Sequence, residues 1–173
     1  MHINVEFKAH CYQPDRIREV LEREGAEYRG RDHQIDVYFN VQNGRLKLRK
    51  GNIENSLIAY ERKDYAGTKQ SNVHLVRLEP GTNLEQVLTT ALGIKVVVDK
   101  KRDIYLIDNV KFHVDEVEGL GSFMEVEAID SEGTIGRQRL QEQCDYYRDL
   151  FEIKDENMVP MSYSDMLLNL KKE

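Results

Sequence analysis

Tryptophan is absent from this chain, proline occurs three times and cysteine twice in 173 residues. The two cysteines, Cys11 and Cys144, stand far apart without CxxC or Cys/His spacing, so neither a disulfide framework nor a zinc site is signalled. Both read as ordinary free thiols. No run approaches the roughly 18 apolar residues that a membrane span requires, and the start lacks the charged-then-apolar pattern of a secretory signal. A soluble, cytoplasmic protein with no membrane partner is the expectation. Positive charge is not in surplus either: 25 Lys and Arg stand against 31 Asp and Glu, a net charge of −6. General attraction to nucleic acid is therefore not expected, and any polyanion site must be local. GxxxxGK[ST], GxGxxG after a strand and HExxH are all missing, which excludes several common nucleotide and metal motifs. Function has to come from scattered residues.

What the chain does have is charge in a pattern. Charged residues make up 32%, above the average of roughly 25%, while 40% hydrophobic residues mark a globular composition. The length suits one domain over residues 1–173. Residues 2–10 alternate as HINVEFKAH, and Pro14-Asp15 opens a helix with Ile17, Val20 and Leu21 at helical spacing, ended by Gly25. Residues 35–40 alternate again, and Asn43-Gly44 signals a hairpin to residues 45–50. Residues 56–63 and 73–78 read as strands separated by a polar loop over 64–71. Asn83 is placed to cap a helix carrying Leu84, Val87, Leu88 and Leu92. Three further strand-like runs follow, broken at Asp108-Asn109 and at Gly119-Leu120-Gly121, before C-terminal helices over 135–150 and 162–170. The expected fold is α+β: an eight-stranded antiparallel sheet closed into a barrel or tunnel, with helices packed outside.

The two faces of the strands say what kind of barrel. Val5 and Phe7 oppose Glu6 and Lys8; Val37 and Phe39 oppose Asp36 and Tyr38; Leu46 and Leu48 oppose Lys47 and Arg49. Phe112 and Val114 oppose Lys111, His113 and Asp115, and Met124 and Val126 oppose Glu125 and Glu127. For a single strand, a wet outer face explains such alternation. Here the types segregate, with acids on the first and last strands and the cations Lys47, Arg49, Arg62, Lys100, Arg102 and Lys111 between them. With the polar parity inward, these charges line a tunnel. Converging carboxylates suit a hard divalent cation, and Arg and Lys suit phosphates, so the pattern points to a polyphosphate with bound metal.

The ordered residues resemble the CYTH superfamily of triphosphate tunnel metalloenzymes, which includes class IV adenylate cyclases and thiamine triphosphatases. The family opens with ExExK, and this chain has Asn4-Val5-Glu6-Phe7-Lys8. The likeness continues through Asp36-Val37-Tyr38-Phe39, Leu46-Lys47-Leu48-Arg49, the run from Lys100 to Tyr105, and VDEVEGLGSFMEVE over residues 114–127. It is strongest over residues 1–130, and the tail SYSDMLL resembles the class IV cyclase-like branch.

The resemblance implies that Glu6, Asp115, Glu125 and Glu127 bind metal, Mg²⁺ or Mn²⁺. It implies that Lys8, Lys47, Arg49, Arg62, Lys100 and Arg102 hold a small-molecule triphosphate, with Lys8 and Arg102 catalytic. Cyclisation of ATP to cyclic AMP and pyrophosphate is the activity implied first, hydrolysis of thiamine triphosphate or tripolyphosphate the alternative. A homodimer is plausible by the same resemblance. The chain departs from the pattern at Asn4, where the family has its first glutamate, which points toward weaker metal binding or to a tunnel that binds without turnover. His113 reads as a spectator hydrogen-bonded to a neighbour rather than a proton carrier, Tyr38 as a weak candidate for substrate contact, and Tyr105 as packing.

Overall fold

Every two-faced segment pairs on both sides. The computed structural model describes residues 2–65 and 67–172, without the side chains of His2 and of residues 62–65. Its strands are β1 (His2–His10), β2 (Glu27–Phe39), β3 (Arg45–Lys50), β4 (Asn55–Tyr65), β5 (Thr68–Arg77), β6 (Ile94–Ile107), β7 (Val110–Val117) and β8 (Gly121–Asp130). They close antiparallel in the order β1-β5-β4-β3-β2-β6-β7-β8, with β8 returning to β1. Closure gives every strand two neighbours, although β1 runs past the start of β5 beyond Glu6. The helices are α1 (Pro14–Arg23), α2 (Leu84–Leu92), α3 (Arg137–Leu150) and α4 (Tyr163–Leu170).

The apolar parity faces outward, under the helices. Val5, Phe7 and Ala9 of β1, Phe112 and Val114 of β7 and Met124 and Val126 of β8 form one buried cluster with Ile17, Val20 and Leu21 of α1 and Leu140 of α3. Tyr105 belongs to this outer cluster, as packing. A second outer cluster joins Val37, Phe39 and Leu48 to Leu84, Leu88 and Leu92 of α2. Burial of apolar area on this scale, at roughly 25 cal/mol per Å², fixes which face of each strand turns inward. Both cysteines are buried and free, and burial pushes the Cys144 thiol up to about 12.

Three local expectations differ from the structure, each for a physical reason. β2 starts at Glu27 rather than at residue 35, because its polar first half pairs along the 14 residues of β6, with a bulge next to Gly30 at φ +117°. Ladder pairing there outweighs composition. The stretch expected as a loop over 64–71 runs into β5, where Lys69 and Ser71 share the inward parity of their partners Glu6 and Asn4. Without an apolar face to alternate with, such a strand reads as loop. Finally, Asn83 stands at the N-terminus of α2 but its side chain makes no capping bond.

α4 lies across one end of the ring. Ser162 caps it by accepting from the Asp165 amide at 3.2 Å. Arg45 of β3 fastens it by donating to Ser162 Oγ at 2.7 Å and to Asp165 Oδ2 at 2.6 Å. Tyr163 then points inward and packs on Phe123 with ring centroids 5.1 Å apart. Around it, Tyr38, Ile58, Tyr60, Val96, Val98 and Val117 form an apolar cluster that closes this end of the tunnel.

Candidate active site

Asp36 organises one half of the interior. It is fully enclosed and accepts from Arg49 through two bonds of 2.9 Å, from Lys100 at 2.9 Å, and lies 3.4 Å from Lys47 Nζ. Burial alone would raise its pKa, but Arg49, Lys100 and Lys47 outweigh that and hold the carboxyl well below the usual range. Lys100 responds in the opposite sense. Burial pushes it down, Asp36 opposes, and Arg102, Arg49 and Lys47 add to the depression, bringing it to about 7. Lys47 Nζ also stands 5.6 Å from the ring centres of both Tyr38 and Tyr60.

Arg102 organises the other half. It donates to Asp115 through two bonds of 2.7 and 2.6 Å and to Glu125 at 3.2 Å. Burial would raise both carboxylates; Arg102 holds both below their ordinary values. The hydroxyl of Tyr163 also donates to Asp115, at 2.7 Å. Lys8 Nζ lies 3.8 Å from Glu125 and 4.0 Å over the Tyr163 ring, and donates to the Met161 carbonyl at 3.0 Å. His113 places Nδ1 3.3 Å from Glu125, and burial together with Arg102 pushes it down to about 4.

The remaining acids gather further along β1 and β8. Glu6 and Glu127 are directly opposed across the two strands. Burial and then the facing Glu6 push Glu127 up to about 7. Asn4 donates its amide to Glu127 Oε1, while its own Oδ1 is buried without a hydrogen-bond partner. Two facing carboxylates and an orphaned amide oxygen are donors a hard divalent cation accepts. Among the described residues no three His, Cys, Asp or Glu side chains form a ready metal cage. The set therefore fits an ion such as Mg²⁺, which takes one or two carboxylates and completes its shell with water and substrate phosphate.

The inward positions expected from the sequence thus converge as three neighbouring groups. Lys47, Arg49 and Lys100 surround Asp36; Arg102 and Lys8 meet at Glu125 beside Asp115; Glu6 and Glu127 face each other further along β1 and β8, with Glu127 in the field of Lys111, Glu125 and Arg102. Arg62 pairs in β4 opposite Ser71, and its side chain lies outside the described residues. Two participants escaped the sequence reading as site residues. Asp36 was read as an inward residue and as part of the family-like run Asp36-Val37-Tyr38-Phe39, but without a site role. Glu54 lies in the turn before β4, where parity says nothing. Its amide and that of Ile53 are held by the buried Asp32, at 3.0 and 2.9 Å. From there its carboxylate reaches Lys111 at 2.7 Å and Arg49 at 3.8 Å. Burial opposes ionisation of Glu54, but these cations hold it far below the usual range.

The closed antiparallel ring with a charge-paired interior and helices outside defines a tunnel-like α+β fold. The chain belongs to the CYTH domain family, whose sequence pattern matches residues 2–160. A Methanocaldococcus jannaschii protein provisionally assigned as an adenylate cyclase is 25% identical, the alignment covering 95% of this chain and 98% of that one. The structure of the PH1012 protein of Pyrococcus horikoshii shares 24% identity over 94% of this chain and 98% of its own, with a TM-score of 0.79. A Hippeastrum protein, provisionally an adenylyl cyclase and described as having a dominant triphosphatase activity, has a TM-score of 0.61 at 12% identity, covering 100% of this chain and 97% of its own. With these two structures the likeness is one of fold. No helix among the described residues is long and apolar enough to cross a membrane.

Proposed function

We propose that this protein is a divalent-metal-dependent enzyme acting on a nucleoside or other organic triphosphate, with ATP cyclisation to cyclic AMP and pyrophosphate as the first reading. The observation that carries the proposal is the gathering of Lys8, Lys47, Arg49, Lys100 and Arg102 in one enclosed interior. Without substrate, Asp36, Asp115 and Glu125 neutralise these cations and fix their geometry. A triphosphate entering the tunnel meets cations whose positions these carboxylates already fix, and competes with them for the same donors. Lys8 and Arg102 both reach Glu125, so the same two cations can share one phosphoryl group. We assign them to the phosphorus under attack, where they offset developing charge. Arg49, Lys47 and Lys100 take the rest of the chain.

Glu6 and Glu127, with Asn4 Oδ1, would hold a divalent ion, Mg²⁺ or Mn²⁺. When bound, the ion neutralises phosphate oxygens and polarises them toward attack. In a cyclase, the substrate's own 3′-hydroxyl attacks the α-phosphorus and pyrophosphate leaves. In a triphosphatase, water attacks the terminal phosphorus instead. The same triphosphate grip serves either reading. Positioning and charge neutralisation dominate either reaction.

Incubation with ATP, thiamine triphosphate and tripolyphosphate, each with Mg²⁺ or Mn²⁺, separates the readings by product. Cyclic AMP with pyrophosphate supports the cyclase, and orthophosphate with the corresponding diphosphate, without cyclic AMP, the triphosphatase. Binding without product leaves a capture module, in keeping with Asn4.

Lys100 supplies a second check. At pH 8 a group titrating near 7 is mostly neutral, and an adjacent triphosphate favours its charged form. Binding is then expected to take up a proton, up to about one per site, and to weaken as pH rises from 7 to 9. Calorimetry in two buffers of different ionisation enthalpy reads the uptake directly. Lys100→Met should abolish most of it, and an unchanged uptake in that variant would show that another group titrates.

A further inference from the structure

The ring has a gap in its wall. β5 starts at Thr68, and its pairing with β1 ends at Glu6 opposite Lys69, so β1 runs on past the end of its neighbour. Residues 158–161 partly fill the space: Met158 bridges to Ala9, and the Val159 amide donates to the Lys8 carbonyl at 2.9 Å. What is left is a cavity of about 370 Å³. It is lined by Glu6, Lys8 and Lys69 on the charged side and by Met158, Val159 and Met161 on the other.

We infer that this side cavity is the seat of the organic part of the triphosphate, a flat heteroaromatic ring with or without its sugar. The inference rests on the triphosphate reading above and gives that site its substrate class. Three features point to it. The cavity falls in the size range of small-ligand pockets, roughly 300–1,000 Å³, and combines an apolar wall with a few placed polar groups. Its wall carries two methionines, whose flexible, polarisable side chains adapt to the face or edge of a planar ring. It also shares Lys8 with the charged interior. Lys8 lines the cavity and places Nζ 3.8 Å from Glu125, where Arg102 also donates. A phosphate held by Lys8 therefore lies beside this cavity, which is open to the group attached to it. The apolar wall gives inorganic tripolyphosphate nothing to bury, so the cavity separates organic from inorganic triphosphates.

The test compares ATP with tripolyphosphate on the full chain by titration calorimetry with Mn²⁺. Met161→Trp, which fills the cavity from its apolar side, should weaken ATP binding about tenfold or more while tripolyphosphate affinity changes less than about twofold. Equal affinities of the variant and the parent for ATP would overturn the inference and leave the triphosphate reading standing. Failure of the parent chain to bind either ligand would remove that reading, and the inference with it. A second measurement needs no variant and covers the case in which Met161→Trp does not fold. Photolabelling of the parent with 8-azido-ATP should mark residues 67–69 or 158–161 and be competed by ATP; labelling confined to other segments would place the ring elsewhere.

Discussion

Arg102→Met is expected to destabilise the fold by about 3–5 kcal/mol at pH 8, the range for breaking a buried charge pair by removing one partner. The side chain is almost fully enclosed and holds Asp115 through two bonds and Glu125 through a third. Methionine preserves much of the volume but leaves two carboxylates in low dielectric, with Tyr163, His113 and Lys8 beside them among the described residues. In the parent both groups are held below their ordinary pKa values, so their contribution is present above about pH 4 and lost below it. In the variant the sign reverses. Burial without Arg102 raises the two carboxyls, protonation relieves the strain, and stability is lost as pH rises through the new values. The deficit should therefore shrink between pH 8 and pH 5, as read by urea unfolding at each pH. The same variant should bind triphosphate far more weakly than the parent. An Arg102→Met protein with the parent's unfolding midpoint at pH 8 would show that the charge cluster does not hold the interior together.

Asn4→Glu is expected to strengthen metal dependence. Asn4 now supplies the amide that Glu127 accepts, next to the opposed Glu6. Glutamate removes that donor and adds a like charge, so the metal-free variant should lose about 1–3 kcal/mol of stability. Mn²⁺ should reverse the loss, because three carboxylates hold a divalent ion more strongly than two carboxylates and an amide oxygen. We expect about tenfold tighter Mn²⁺ binding, measured by calorimetry, and faster product formation wherever the parent shows any. Since Glu127 is raised to about 7, binding in the parent should strengthen as pH rises through 7 and that group loses its proton. Equal Mn²⁺ affinity in variant and parent would mean that the carboxylates of β1 and β8 are not the cation site.

How far the sequence carries is seen best strand by strand. Alternation in β1, β3, β7 and β8 was legible because each has one apolar parity, and burying that parity under helices decides the direction of every other side chain. The first halves of β2 and β5 were not legible. Their inward and outward residues are both polar, and only their pairing partners make them strands. The same divide separates Arg102 and Lys100, read from parity, from Glu54, whose turn is folded inward by hydrogen bonds to Asp32. No local pattern encodes such a long-range return.

By itself, then, the amino-acid order determined the fold class, the eight strands and the charged parity, because hydrophobic periodicity is a local property that survives without neighbours. Tertiary structure alone decided which charges meet. The barrel order sets Arg49, Lys100 and Lys47 on Asp36, sets Arg102 on Asp115 and Glu125, opposes Glu6 to Glu127, and brings Tyr163 from the far C-terminus onto Asp115. Those meetings depend on strand register and closure, where a shift of one residue would turn every charge outward.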